Sequence, residues 1–583
     1  MTTKFDFVLQ PFRAAFFLIM MLSASILSVC VILSPSFASS LSQPPRLILQ
    51  ITVDQLRGDF PFRYYDRLPD GGFKYLIKNG TVYMDGHHDH ANTETVVGHA
   101  TLATGTYPSV HGMIANVWLD REQSRVVYNN EDNQYELLSK DADVDKATEI
   151  DPTQKKAGSS GRSPSALLVS TFSDELSIQT AGKSKIFGVS VKDRAAVTMA
   201  GHAGKAFWFS KASGEFVTSS YYYDKYPQWV MDWNGKGVVS SYSGRAWTLL
   251  NNPSTYLFKD ADDQEWETDV YGFGRTFPHE YGDKESKTFT TFLTLSPAGD
   301  EFLLDFSKTL IEKEALGKDD IPDYLSVSFS STDYVGHVFG PSSLESEDNL
   351  IRLDRTLADL FSYVDETVGL DHTLIVLSSD HGSPEAPGYL LQLGIPAGYV
   401  EPDTWDKTPA IQKLKNRFGI AQEVIEKYEH PYIYLNQTLI AEKKLDPLEV
   451  ENAIAKELNQ FEGVALAVSS TALSSAELPN TDLYRMVLNN FNPMRSGDIY
   501  VVYKPHWFIN DFDGLTVTAT HGSPWRYDTF VPIMFAGNQI PAAHIFRRVH
   551  SIDIAPTLSR YVGANPPSGS AGYVLKEIFS PSF

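Results

Sequence analysis

Three short apolar runs, far apart in the chain, each lead into a carboxylate. Arg46 to Val53 (RLILQITV) meets Asp54, Tyr324 to Phe329 (YLSVSF) meets Ser330-Ser331-Thr332-Asp333, and Leu374 to Leu377 (LIVL) meets Ser378-Ser379-Asp380-His381. Runs of this length, continuously apolar and rich in β-branched residues, suit strands buried on both faces of a parallel sheet. Ligands of an open parallel sheet bind beyond the carboxyl ends of its strands. The spacing therefore predicts an α/β fold whose central, mostly parallel sheet gathers Asp54, Asp333 and Asp380 at one edge. Leu350 to Val368, apolar at helical spacing, supports the alternating order.

Charge narrows the function. Lys and Arg number 49 against 72 Asp and Glu, a net charge of −23. A sequence-independent grip on DNA or RNA needs the opposite sign, so no nucleic-acid partner is expected. An acidic protein acting on an anion needs a local positive centre, from metal ions or a few placed basic side chains. The single cysteine, Cys30, excludes an intrachain disulfide and a cysteine-based metal site.

Cys30 lies in the apolar stretch Ala14 to Leu33, which follows Lys4 and Arg13 and precedes the small-x-small step Ser36-Phe37-Ala38. This pattern reads as an export signal over residues 1–38, with cleavage near Ala38. The mature chain is then periplasmic or secreted and has no membrane contact. The run is also long enough to stay as an uncleaved anchor. The catalytic domain is expected over 45–565, with cap insertions at about 205–300 and 390–500 and a flexible Gly/Ser loop from Gly158 to Ser165.

The acids come with imidazoles. Asp333 and His337 stand four apart just past a run, so both can meet one cation. Asp380 and His381 are adjacent, and Gly382 permits the turn that lets them share a metal. His521, in Thr-His-Gly-Ser-Pro, repeats this loop chemistry downstream. With Asp54 these are six ligands, enough for two three-ligand sites, and Asp and His without Cys suit catalytic zinc. In Asn92-Thr-Glu-Thr95-Val-Val-Gly-His99 a helix is expected to start at Thr95, where backbone N–H groups favour an anion. A metal-bound hydroxyl there is a candidate nucleophile.

The order Asp54, Thr95, Asp333/His337, Asp380/His381, His521 resembles the alkaline phosphatase superfamily. Within it the chain is most similar to the Thr-nucleophile, PafA-type phosphatases of the type I phosphodiesterase/nucleotide pyrophosphatase group. The resemblance implies an alkaline-phosphatase-like sandwich with helices on both faces of the sheet. It implies a cofactor of two Zn2+, one on Asp333, His337 and His521, the other on Asp54, Asp380 and His381 with Thr95 completing its shell. It also implies a phosphothreonine intermediate and action on small-molecule phosphate esters; the protein is expected to be a monomer. Three further positions match its monoesterase members: Asn116, Lys192 and Arg194, which there grip the non-bridging oxygens. Read as a strand, Val-Ser-Val-Lys192-Asp-Arg194 would turn both basic side chains to one face. Two added cations favour a dianionic monoester over a diester. The stretch Thr294-Leu-Ser-Pro-Ala-Gly-Asp300 departs from the family's Thr-Pro-Phe-Gly-Asn-like pattern.

Each residue also has a plainer role. Asp54 alone could end a strand, Thr95 could be a helix cap, and Asn116, Lys192 and Arg194 could be a loop amide and a solvated basic face. His87-His88-Asp89-His90 looks metal-like but lacks distant partners and is expected to shape the approach to Asn92–Thr95. His99, His111 and His202 are expected to be structural, and Tyr221–Tyr223 to pack a cap. Two rival functions remain, a phosphodiesterase on the same scaffold and a silent phosphate-ester-binding protein. A Cys-nucleophile sulfatase is excluded because Cys30 lies in the signal.

Overall fold

The computed structural model describes residues 44–475, 478–509, 511–512 and 515–579. The export segment expected at 1–38, with Cys30, lies outside them. Among the described residues the central sheet has nine strands. In chain order they are β1 (Leu47–Val53), β2 (Thr81–His87), β3 (Ile186–Ser190), β4 (Lys205–Ser210), β5 (Glu215–Val217), β6 (Asp323–Phe329), β7 (Thr373–Ser378), β8 (Ile533–Gly537) and β9 (Ala543–His550). Across the sheet they run β9-β2-β8-β7-β1-β6-β3-β4-β5. Pairing is parallel except at β8, antiparallel to both neighbours, and at the edge strand β5.

Every residue of β1, β6 and β7 is buried, as both covered faces of a parallel sheet require. Leu49, Ile51 and Val327 pack on one face with Phe302, Phe306 and Leu357. Those partners come from helices over Ala298–Lys313 and Leu344–Thr367. Ile48, Leu374 and Val376 pack on the other face with Leu102, Phe172 and Met199. The fold is thus the expected α/β sandwich.

Register aligns the strand ends. Val53 pairs with Phe329, Thr52 with Ser378, and Ser328 with Ser190. Asp54, Asp333, Asp380 and Lys192 all follow within four residues of this common edge. The stretch from 205 opens with β4 and β5, strands of the central sheet itself. Within 390–500 lies most of a separate four-stranded antiparallel sheet, whose strands include Ile425–Glu429 and Ile499–Tyr503. The Gly158–Ser165 stretch is pinned rather than loose: Arg162 is buried and donates Nε–H to Asp193 at 2.6 Å.

Candidate active site

Thr95 opens helix α1 (Thr95–Thr104), which is buried throughout and ends at Gly105 in the left-handed region, φ 65°. Gly98 explains how close this helix can come to the Asp380–His381 loop. A Cβ there would sit 1.9 Å from the Asp380 carbonyl oxygen, so no side chain fits. Asp333 and His337 lie one turn apart on helix α2 (Ser331–Phe339), which starts two residues past β6. Asp300 holds that start: its Oδ1 accepts from the Ser330 and Ser331 N–H groups at 3.1 and 3.2 Å. The stretch that departs from the family pattern thus ends on a residue that supports the Asp333 helix.

The six acids and imidazoles come together as two triads, Asp54-Asp380-His381 and Asp333-His337-His521. In the first, His381 Nε2 lies 3.3 Å from Asp54 Oδ1 and 3.6 Å from Asp380 Oδ2. In the second, His337 Nε2 and His521 Nε2 lie 3.2 and 3.3 Å from Asp333 Oδ1. All three imidazoles are turned the same way. Nδ1–H donates to a backbone carbonyl, of Ala519 for His337 (2.7 Å), Gly382 for His381 (3.0 Å) and Thr93 for His521 (2.8 Å). A carbonyl only accepts, so Nε2 is left as the ligand atom, the arrangement that orients metal-binding histidines.

The first triad carries the test of fit. Asp54 Oδ1, Asp380 Oδ2 and His381 Nε2 are all buried, and none has a hydrogen-bond partner. His99 Nδ1 lies 3.2 Å from Asp380 Oδ2, but donates to the Thr95 carbonyl at 2.8 Å. Three electron-rich atoms converging without a donor is a costly arrangement unless a cation sits among them. The donor set, carboxylates and imidazoles without sulfur, suits zinc.

The charges of the six groups also act on one another. Burial and Asp333 push the Asp54 carboxyl up, but Lys192 and His381 outweigh them and hold it below the usual carboxylate range. Burial likewise opposes ionisation of Asp333, and Lys192 and His337 overcome it. Asp380, with burial and Asp54 against it, is raised. Burial pulls His381 down, but Asp380, Asp54 and Asp333 push it up to about 9. His521 falls to about 3 through burial and the charge of His381.

Lys192 and Arg194 depart from the strand expected of them. The strand ends at Ser190, Lys192 is the N-cap of helix α3 (Asp193–Ala200), and Arg194 is its second residue. They therefore serve different partners. Lys192 Nζ bridges the two triads, 2.7 Å from Asp54 Oδ2 and 2.5 Å from Asp333 Oδ2. Arg194 reaches the Thr95 hydroxyl at 3.3 Å while Asp151 holds its other arm at 2.5 Å. Its Nε is buried and unpaired. Asn116 Oδ1 accepts from the Val96 N–H at 3.1 Å, which leaves its amide NH2 as the free end beside the cavity it lines.

Sequence reasoning passed over several groups here. Gln55 Nε2 donates to Asp333 Oδ1 at 3.1 Å. Glu94 accepts from the Asn116 N–H at 2.7 Å and is pushed up to about 7 by burial. Gln55 and Glu94 adjoin Asp54 and Thr95 in sequence, which is a usable signal; Asp151 had none. The metal-like cluster is structural: His88 bonds the Ser379 carbonyl and the Ser551 hydroxyl, and His90 the Asn92 carbonyl. Tyr222 is buried against Ala196, Trp208 and Val217.

Fold and site together define a metal-dependent hydrolase architecture, with two triads that could each hold a metal ion at the strand ends and a helix-borne threonine lining the same cavity as one of them. Residues 48–524 match the type I phosphodiesterase / nucleotide pyrophosphatase family. The chain is 33% identical over 539 residues to alkaline phosphatase PafA of Elizabethkingia meningoseptica, covering 92% of this chain and 94% of that protein. It is 32% identical over 544 residues to alkaline phosphatase PhoV of Synechococcus elongatus, covering 92% and 93%. A crystal structure of PafA superposes with a TM-score of 0.82 at 32% identity, covering 92% of this chain and 99% of that one. The protein belongs to the type I phosphodiesterase / nucleotide pyrophosphatase family.

Proposed function

We propose that this protein is an exported, zinc-dependent alkaline phosphatase that hydrolyses phosphate monoesters through a phosphothreonine at Thr95. The observation that carries the reading is the trio of buried, unpartnered atoms on Asp54, Asp380 and His381, together with a threonine hydroxyl that touches Arg194 and lines one cavity with Asp333, His337 and His521. The relatives named alkaline phosphatase support the same chemistry. Asp54, Asp380 and His381 would hold one zinc and Asp333, His337 and His521 the other. Bound there, zinc supplies Lewis acidity that lowers the pKa of a coordinated hydroxyl or water and offsets charge on oxygen.

The chain's own groups do the rest. Thr95 Oγ1 attacks phosphorus, forming the Oγ1–P bond as the P–O bond to the alcohol breaks. Water then cleaves the phosphothreonine and frees phosphate. Arg194, anchored by Asp151, offers its fork to the phosphoryl oxygens with its buried Nε–H still unspent, and the Asn116 amide adds a donor. Lys192 keeps Asp54 and Asp333 ionised and in place. Export rests on the apolar segment before Ala38. No helix among the described residues is long and apolar enough to cross a membrane.

The competing reading is a phosphodiesterase, which the family's description also covers. Full cationic charge on Arg194 beside the nucleophile favours the dianionic monoester. The test is kcat/KM for p-nitrophenyl phosphate against its bis ester in the zinc-loaded protein, with Thr95→Ala as background. A monoester preference is expected. A diester preference would overturn the assignment, and activity no greater than the Thr95→Ala background would point to a silent binding protein.

A further inference from the structure

Strand β1 lies between β7 and β6 in the sheet, so the turn after it sits between the loop that carries Asp380 and the helix that carries Asp333. That turn holds a strained residue. Gln55, directly after Asp54, is buried and takes φ 64°, in the left-handed region. Glycine adopts this conformation freely. A residue with a Cβ is strained there, and such strain persists only where the surroundings hold it.

Both triads hold Gln55. Its backbone N–H donates to Asp380 Oδ1 at 3.2 Å, and the His381 N–H joins it at 3.0 Å. Oδ1 is thereby committed, and Oδ2 is the oxygen left to the first triad. The side-chain amide serves the second triad. Its Nε2 donates to Asp333 Oδ1 at 3.1 Å, and its Oε1 accepts from the Ser383 hydroxyl at 3.2 Å. Asp333 Oδ1 is the oxygen that faces His337 Nε2 and His521 Nε2. Those imidazoles carry their hydrogen on Nδ1, so neither Nε2 can donate. The Gln55 amide is then the donor that steadies this oxygen.

Gly336, three residues after Asp333 on helix α2, makes room for the amide. A Cβ there would overlap Gln55 Oε1. Glycine inside a helix is less favourable than alanine. The contact thus sets a glutamine where glycine fits the turn against a glycine where alanine fits the helix. Two broken local rules that meet at one contact mark a functional constraint.

We propose that Gln55 is a positioning residue that ties the two metal sites together. Its backbone sets Asp380 and its side chain sets Asp333, so the amide governs zinc affinity at the Asp333–His337–His521 site. The inference rests on the two-zinc reading above.

Competition for zinc between the loaded full chain and a chromophoric chelator tests it, with His521→Ala marking which of the two dissociation constants belongs to the Asp333 site. Gln55→Gly keeps the N–H, suits φ 64° and removes the amide. The Asp333 site should weaken about 10- to 100-fold, the effect of losing a group that orients a metal ligand, and the other site should hold zinc as in wild type. Turnover of p-nitrophenyl phosphate should fall at limiting zinc and recover at saturating zinc, which general damage would not do. Gly336→Ala leaves residue 55 in place and should weaken the same site. In the Gln55→Gly background it should add nothing, because the space is free.

Both constants unchanged in Gln55→Gly, or both weakened alike, would overturn the positioning role. So would a Gly336→Ala effect that persists in full in the Gln55→Gly background. If Gln55→Gly does not fold, Gly336→Ala alone decides, and an unchanged Asp333 site overturns the role. A wild-type protein with no zinc to give up would overturn the two-zinc reading, and this inference with it.

Discussion

The imidazole of His381 stacks on that of His521, with ring centroids 3.5 Å apart and planes 17° from parallel, although the two belong to different ligand triads. Their titration differs, His381 being pushed up to about 9 against burial by Asp380, Asp54 and Asp333, and His521 down to about 3 by burial and the charge of His381. The contact also brings the two triads side by side. A two-metal clamp on an in-line displacement needs its ions about 4 Å apart.

Two adjacent but separate triads should lose metal separately. The wild-type protein is expected to hold two zinc ions and His521→Ala about one, by elemental analysis after dialysis. Chelation should abolish turnover and lower Tm, because it leaves Asp54, Asp333 and Asp380 buried together. At a free zinc concentration 100 times Kd the metal adds about 2.7 kcal/mol of stability per site. Two ions retained by His521→Ala would break the assignment of that ligand.

Arg194 and Asp151 should act as a unit. Arg194→Ala removes a preorganised donor at the Thr95 hydroxyl, and a loss of about 100- to 1000-fold in monoester kcat/KM is expected. Asp151→Asn should cost less, by letting the guanidinium wander. Because both changes act through Arg194, the double variant should resemble Arg194→Ala alone. Additive losses would mean that Asp151 serves some other group.

Asp300 gives a pH dependence of stability. Burial raises its carboxyl from 3.8 to about 7, although Ser331 and Ser330 pull it down. The native state therefore binds a proton that the unfolded chain has released between about pH 4 and 7. This contribution is full below about pH 4 and is lost as pH rises to 7, at about 1.4 kcal/mol per pH unit. Asp300→Asn keeps an acceptor for both backbone N–H groups and removes the titration. Its stability relative to wild type should rise from pH 4 to 7 in denaturant melts, then level off. A constant difference across that range would show that Asp300 does not titrate.

Much of this was legible in the sequence because strand ends are local signals. RLILQITV, YLSVSF and LIVL fix where strands stop, and parallel register then carries Asp54, Asp333 and Asp380 to one edge. Lys192 and Arg194 misled because the turn from β3 into the next helix takes only Val191 and Lys192, with no glycine or proline to mark it. Gly98 is visible as a glycine, but the Asp380 carbonyl that demands it is remote in sequence. Asp151 follows no motif at all. It meets Arg194 only through three-dimensional proximity, which composition and spacing do not encode.

Two metal ions are expected to sit in one pocket against Thr95. Anomalous diffraction at the zinc edge, from crystals grown with zinc and phosphate, tests it most directly. Two peaks are expected, one bounded by Asp54, Asp380 and His381, the other by Asp333, His337 and His521, with the Thr95 hydroxyl and phosphate beside them. Peaks elsewhere, or none between these six side chains, would contradict it.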